Sequence, residues 1–381
     1  MDENKIPDSE AKNINADLTE ENAVSVADET MADTSVPEKA IEVWENRPKK
    51  RLAMTIFLVI TGVILAFILA VLLVVDSYLD KINKVEGPEP TISQEEIDLI
   101  LGETDPPEEM FEGDVLDIDD VVMPELPADK IQTENYVYNI LLIGQDRRPG
   151  EKRARSDSMI LCTINTKEKT LVMTSFLRDI YVRFPDYNGK TYKNNRLNVP
   201  YVIGGMEMLN DTLALNFGVH VDHNVEVDFS GFEDIIDILG GVTLELTGAE
   251  AYIVPRARTG LNHLDGEQAL VYSRIRKLDN DFGRTNRQRK VLSALLEQLR
   301  NADIETFTDL ADQIFPLITT DMTNADILNY MLKIVPILPE LEIKTQHIPG
   351  SESYYFANIR GMSVIIPDLD ECIQQLKDTI G

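Results

Sequence analysis

The sequence predicts an α/β domain of three layers, with helices on both faces of a central mixed sheet, carried behind a single transmembrane helix. Three observations point there. Apolar, β-branched runs alternate with helix-spaced segments from Tyr136 onward. One stretch of 24 residues, Leu52 to Val75, contains no charged side chain. The formal charge of -30 is concentrated ahead of the alternating region.

Residues 1–46 hold 13 acidic and 3 basic side chains and almost no aromatics. Such a composition cannot bury enough apolar surface to order itself, so residues 1–51 read as a disordered tail ending in the basic cluster "RPKKR". Residues 52–75 follow as a membrane-spanning helix. About 20 apolar residues cross a bilayer core, and a helix of this length rises about 36 Å. A buried core helix seldom exceeds about 14 uninterrupted apolar residues. A cleaved signal peptide would be shorter and would end in a small-residue site, which is absent here. The basic cluster before the span places the tail in the cytoplasm and everything after Val75 outside. Residues 76–135 read as an extracytoplasmic linker or stalk, with 18 acidic and 3 basic side chains by residue 130 and short helical stretches such as "ISQEEIDLILG".

The domain proper is expected over 136–381. "YVYNILLIG", "MILCTIN" and "TLVMTSF" are apolar runs bounded by turn residues, the pattern of strands buried on both faces. "YVIGGMEMLNDTLALNFG" and "SGFEDIIDILGG" have helical spacing and end in glycine. The second is flanked by "NVEVDF" and "GVTLEL", which suggests a β-α-β unit. Helices are expected over "GEQALVYSRIR", "RTNRQRKVLSALLEQLR", "DIETFTDLADQI", "NADILNYMLKIV" and "LDECIQQLKDTI", and strands over "LEIKTQHI" and "MSVII".

Two cysteines, Cys162 and Cys372, and four histidines leave no disulfide framework and no zinc-ligand spacing, so both cysteines read as core. The phosphate-binding, dinucleotide, serine-hydrolase and metalloprotease motifs are all missing.

Charge is placed with more purpose. The first strand runs into "GQDRR", "RARSD" leads into the second, and the third runs into "LRD". In open α/β sheets ligands bind beyond the carboxyl ends of strands. The stretch "ALVYSRIRKLDNDFGRTNRQRKVL" adds five arginines and two lysines in 24 positions. On its second helix Arg284, Arg287 and Gln288 share a face. Guanidinium forks match phosphate oxygens and stay charged, and several together suit a diphosphate. The interleaved aspartates can hold a divalent cation that contacts the phosphate. A nucleic-acid groove is excluded by the acidic domain and the lack of interleaved aromatics.

"NILLIGQDRR", "RSDSMILCTIN", "TSFLRDIYV", "RLNVPYVIGG", "VDFSGFEDIIDILGGV" and "LDGEQALVYSRIRKLDNDFGRTNRQRKVL" occur in the order of the LytR–CpsA–Psr family, which the chain resembles over about residues 136–300. The resemblance implies a phosphotransferase of the cell wall. Its expected activity moves an anionic glycopolymer (teichoic acid, capsule or similar) from a polyprenyl-pyrophosphate carrier to peptidoglycan at the cytoplasmic membrane. It implies Mg²⁺ (or Mn²⁺) on Asp146 and Asp157. A pyrophosphate clamp would comprise Arg147, Arg178, Arg274, Arg276, Arg284, Arg287 and Gln288, with Arg178, Asp179, Arg274 and Arg276 catalytic. Asp179 takes a supporting or base role. A lipid pocket is expected along Val202, Met206, Leu209, Leu213, Phe232 and Ile236. Two residues depart from the family pattern: Leu177 stands where proline is usual, and Gln145 where a small hydroxyl residue is common. A polyprenyl-phosphate-binding regulatory module without turnover and a polyprenyl-pyrophosphate phosphatase stay open as alternatives.

Overall fold

The computed structural model describes residues 38–89, 91–104, 114–116, 123–127, 130–147, 151, 153–300 and 304–380. Most of the acidic tail, 1–37, and much of the acidic run 105–122 lie outside these. By its internal contacts the chain divides into Met1–Ile68 and Leu69–Gly381.

The chain enters as one long helix, α1 (Glu38–Leu79), so the segment just before the span is helical from Glu38 onward. Its apolar part, Ile56–Leu79, is long and apolar enough to cross a membrane. Nearly all side chains from Ile56 to Val74 are exposed, which a soluble core helix would not tolerate.

Elements follow in the order β1 (Asn83–Lys84), α2 (Gln94–Gly102), β2 (Asp114–Leu116), β3 (Val137–Gln145), β4 (Ser156–Asn165), β5 (Thr170–Phe176), β6 (Tyr181–Val182), β7 (Asn195–Arg196) and α3 (Val199–Phe217). The chain continues through β8 (His223–Asp228), α4 (Phe229–Ile238), β9 (Val242–Leu246), α5 (Gly248–Ile253), β10 (Gly260–Leu264), α6 (Gly266–Ser273) and α7 (Asp281–Leu299). It closes with α8 (Ile304–Ile314), β11 (Thr319–Thr320), α9 (Asn324–Ile334), β12 (Glu342–Ile348), β13 (Tyr354–Ile359), β14 (Met362–Pro367) and α10 (Leu369–Ile380).

The main sheet has seven strands in the order β1-β11-β8-β3-β4-β5-β12. It is mixed: β8 runs parallel to β3 and β12 parallel to β5, while β4 is antiparallel to both neighbours. The apolar runs alternate in detail. Met159 and Leu161 join α3 and α10 in one core, while Ile160, Cys162 and Ile164 face Leu292 and Leu296 of α7 on the other side. Helices therefore cover both faces, as the sequence predicts. Both cysteines are buried and unpaired.

Two expectations change. The strands flanking α4 do not form a β-α-β unit in one sheet, because β9 pairs with β10, across α5 in sequence, as a separate two-stranded antiparallel sheet. The segment expected as a stalk is partly built into the domain: β1 joins the edge of the main sheet, β2 pairs with β13, and Ile97 of α2 and Ile131 are buried. Acidic composition hid this, because the few apolar residues that anchor the segment are scattered among solvated charges.

Candidate active site

Strand direction assembles the site. With β4 antiparallel to β3 and β5, the end of β3, the start of β4 and the ends of β5 and β8 share one edge. Asp146, the Arg153–Asp157 stretch, Arg178–Asp179 and Asp228 thus converge there. The turn between α6 and α7 brings Arg274 and Arg276 over the same edge, followed by Asp281, Arg284 and Gln288 from α7. Together they enclose a cleft of about 690 Å³, lined by seven arginines (153, 155, 178, 196, 274, 276 and 284) against the carboxylates of Glu103, Asp146, Glu151 and Asp157. That excess of cations suits an anion of two or three charges.

The floor is a lattice of ion pairs. Arg178 donates to Asp157 at 2.8 Å and lies 3.4 Å from Asp179 and 3.9 Å from Asp281. Arg284 pairs with Asp281 at 2.7 Å and reaches the Asp157 carbonyl at 3.3 Å. Arg276 stands 3.7 Å from Asp157, Arg196 3.6 Å from Asp179, and Arg274 3.3 Å from Asp146 while stacking over Phe229 at 4.5 Å. Burial pushes the Asp157 carboxyl up, but Arg178, Arg284 and Arg276 outweigh it and hold it below the ordinary value. Burial raises the Asp281 carboxyl, opposed by Arg284 and aided by Asp179. Burial lowers Arg284, and its neighbours Arg178 and Arg276 reinforce that. Arg178 is raised: Asp179, Asp157 and Asp281 overcome the cost of its burial.

Gln145, one departure from the family pattern, acts here. It is fully buried, donates to Glu226, and accepts from the Ala154 amide at 2.9 Å, fixing the arginine loop over the edge. Tyr201 closes the same network on Glu226. Leu177, the other departure, is fully buried and donates its amide to Ile348 at 3.1 Å, leaving Arg178 aimed into the cleft.

The structure brings Asp146, Asp157, Arg178, Arg274, Arg276, Arg284 and Gln288 to the cleft. Asp179 lies buried beside Arg178 and pairs with Arg178 and Arg196, so it orients guanidiniums. Two members of the expected clamp sit elsewhere. Arg287 is buried against Glu250 at 2.9 Å, Asp279 at 2.5 Å and the Ile275 carbonyl at 3.0 Å, so it shapes the turn that presents Arg274 and Arg276. Helical spacing gave Arg287 the same face as Arg284, but the distant Glu250 and the nearby Asp279 captured it. Arg147 pairs at 2.9 Å with Asp228, which also caps α4 through the Gly231 amide. Residues not singled out include Asp281, legible within "LDNDFGR", and Arg196, within "RLNVP". Ile100 and Glu103 of the stalk segment carried no signal at all.

Asp146 and Asp157 fit a hard cation that is completed by phosphate oxygens, since Mg²⁺ is commonly held by one or two carboxylates plus substrate. Among the described residues no group of three His, Cys, Asp or Glu could hold a metal unaided.

Beside the cleft lies an apolar cavity of about 210 Å³, floored by Leu142, Ile160, Val225 and Val227 of the sheet and roofed by Phe232, Ile235, Leu270, Leu292 and Leu295 of α4, α6 and α7. Phe229, Arg274 and Gln288 line both spaces. Of the residues expected to line a lipid pocket, only Phe232 faces this cavity. Val202 lines the polar cleft, Ile236 is core between α4 and its neighbours, and Met206, Leu209 and Leu213 are buried in the opposite core. The reason is topological: α3 covers the other face of the sheet.

The fold is thus a mixed α/β sheet with a guanidinium-rich cleft at one edge and a small apolar cavity beside it. The chain belongs to the LytR_cpsA_psr family, whose sequence model matches residues 115–378. It is 38% identical over 192 residues to a Bacillus licheniformis protein named polyisoprenyl-teichoic acid–peptidoglycan teichoic acid transferase TagU, covering 50% of this chain and 61% of that one. The chain thus spans about three fifths of the length of the curated relatives it matches. Among solved structures it is similar to protein gbs0355 of Streptococcus agalactiae (TM-score 0.56, 26% identity, 65% of this chain and 90% of that one). It is also similar to TagT bound to LI-WTA (TM-score 0.54, 25% identity, 68% and 98%).

Proposed function

We propose that the protein is a membrane-anchored phosphotransferase that moves an anionic glycopolymer, of teichoic-acid type, from a polyprenyl-pyrophosphate carrier onto peptidoglycan. The observation that carries this is the shared wall of cleft and cavity. A diphosphate bound among Arg178, Arg276 and Arg284 would direct its lipid past Phe229, Arg274 and Gln288 into apolar surroundings. At about 210 Å³ the cavity is smaller than the usual ligand pocket of about 300 Å³ or more, so it would hold only part of a long tail.

A sugar hydroxyl of peptidoglycan attacks the phosphorus that carries the polymer. Its P–O bond to the polyprenyl phosphate breaks, the lipid phosphate departs, and the hydroxyl proton passes to a base. Arg178 and Arg284, fixed by their carboxylates, are preorganised for the charge that grows on the phosphoryl oxygens. Arg274 and Arg276 are half exposed and lightly held, free to close on the arriving anion. Mg²⁺ or Mn²⁺ on Asp146 and Asp157, when bound, would neutralise phosphate charge as a Lewis acid. We assign the domain to the outer side of the cytoplasmic membrane, from the basic cluster before the span.

The test supplies the purified protein with a polyprenyl-pyrophosphate-linked polymer, a divalent cation and peptidoglycan oligomers. Transfer product should form, and should be lost in Asp157→Ala and Arg276→Ala. Binding of the lipid without product would favour the regulatory reading, and phosphate release without acceptor the phosphatase.

A further inference from the structure

Helix α9 has two apolar faces, and the domain uses one. Inward, Tyr330 packs edge-on against Tyr138 and His223, at 5.2 and 5.6 Å between ring centres, and Ile334 joins the core beneath the sheet. Outward, Ala325, Leu328, Leu332 and Val335 recur at helical spacing along the opposite side. Leu332 is 77% exposed and Val335, at the helix C-cap, 50%. Leu332 and Val335 stand largely uncovered and continue a stripe whose other large member, Leu328, is half-buried, and adjoining exposed apolar side chains mark a surface for an apolar partner.

The start of this stripe is tied to the end of α1. The Asn324 side chain donates to Asp76 at 2.6 Å and to Asp80 at 2.8 Å, and Lys84 donates to Asn324. Thr323 and Asp326 cap α9 reciprocally at the same place. Leu72 and Leu73 of the apolar span line the apolar end of one groove, of about 770 Å³, together with Ala325 and Leu328, while Asp76, Lys84, Glu86 and Asp321 line its polar end. The outward face of α9 is therefore continuous with α1 at Leu72 and Leu73, and whatever solvates these two leucines reaches Leu328 as well.

We propose that the outward face of α9 rests in the bilayer leaflet from which α1 emerges, with lipid hydrocarbon filling the apolar end of the groove between them. The domain would then sit against the membrane surface rather than swing on its linker. This stands on the span and the groove alone and is independent of the enzymatic reading.

The chain has a single tryptophan, Trp44, which makes fluorescence a direct test. The full-length protein carrying Trp44→Phe and Leu332→Trp is reconstituted in phosphatidylcholine–phosphatidylglycerol vesicles, with or without bromine on the acyl chains near the headgroup. Bromination should quench the emission at least about twofold, because interfacial helices sit about 5–10 Å into the acyl boundary. Val335→Trp in the same background should behave alike. Both positions are exposed enough to accept the larger ring without repacking, and an unchanged Tm verifies this. Emission from both variants that ignores bromination, in protein shown by flotation to be in the vesicles, overturns the proposal. If that emission instead shifts with protein concentration, the face belongs to a second copy of the chain, and the proposal falls equally.

Discussion

The two faces of the main sheet are covered by helices of similar apolar character, yet one face is solid and the other hollow. On one side Leu209 and Leu213 of α3 share one continuous core with Leu141, Leu161 and Phe176 of the sheet, and α10 completes the layer. On the other, α4, α6 and α7 pack largely on one another and on the small β9–β10 sheet, around Ile236, Leu264, Tyr272 and Val291. They touch the sheet only in part, through Leu292 and Leu296 of α7 against Ile160, Cys162 and Ile164, and the gap left beside that contact is the apolar cavity. The difference teaches that an amphipathic stripe specifies burial but not what it is buried against.

The strongest way to break the comparison is at the hollow side's contribution to the cleft. Arg276→Ala should cut transfer about 100- to 1,000-fold, as loss of a preorganised charge-stabilising donor does. Its Tm should barely move, since the side chain is half exposed. An intact rate would show that the α6–α7 turn is not part of the chemistry. Leu209→Ala tests the solid side, with an expected loss of about 2–5 kcal/mol of stability in denaturant titration and unchanged affinity for the lipid donor. Val227→Phe should do the reverse. It narrows the cavity and raises the donor KM about tenfold, equivalent to about 1.4 kcal/mol, with kcat nearly unchanged.

A pH signature sharpens the view of the cleft floor. The Asp157 carboxyl lies below its ordinary value in the folded protein, so its ionised form stabilises the fold. That contribution is complete above the unfolded value near about pH 4 and is lost as pH falls through the folded value. The Tm gap between the wild type and Asp157→Asn should therefore be widest at neutral pH and shrink in acid. A gap that widened in acid would mean the arginines do not hold this carboxylate. The smallest effect is expected from the segment ahead of the family match. Arg155 pairs with Glu103 on α2, and Ile100 and Glu103 form one wall of the cleft. Glu103 is partly exposed, so Glu103→Gln should alter donor KM only about twofold to fourfold, in keeping with about 1 kcal/mol or less for such pairs.

Much of this was legible in the chain itself. The strands β3, β4 and β5, the helices α3, α4 and α7 and the span all follow from apolar periodicity and its interruptions, which depend only on residues close in sequence. The arginine and aspartate clusters were visible for the same reason, because each lies at the end of a run. Their convergence was not written in any one segment; it required β4 to run antiparallel between β3 and β5. The fates of Arg287 and Arg147 depended on Glu250 and Asp228 arriving from elsewhere, since an ion pair goes to the nearest suitable partner in space. Likewise α3 became core and the α4–α7 face became a cavity because of how helices were distributed over the sheet. Hydrophobic pattern is a local property of sequence; charge partnership and empty space are properties of packing, and only the tertiary structure decides them.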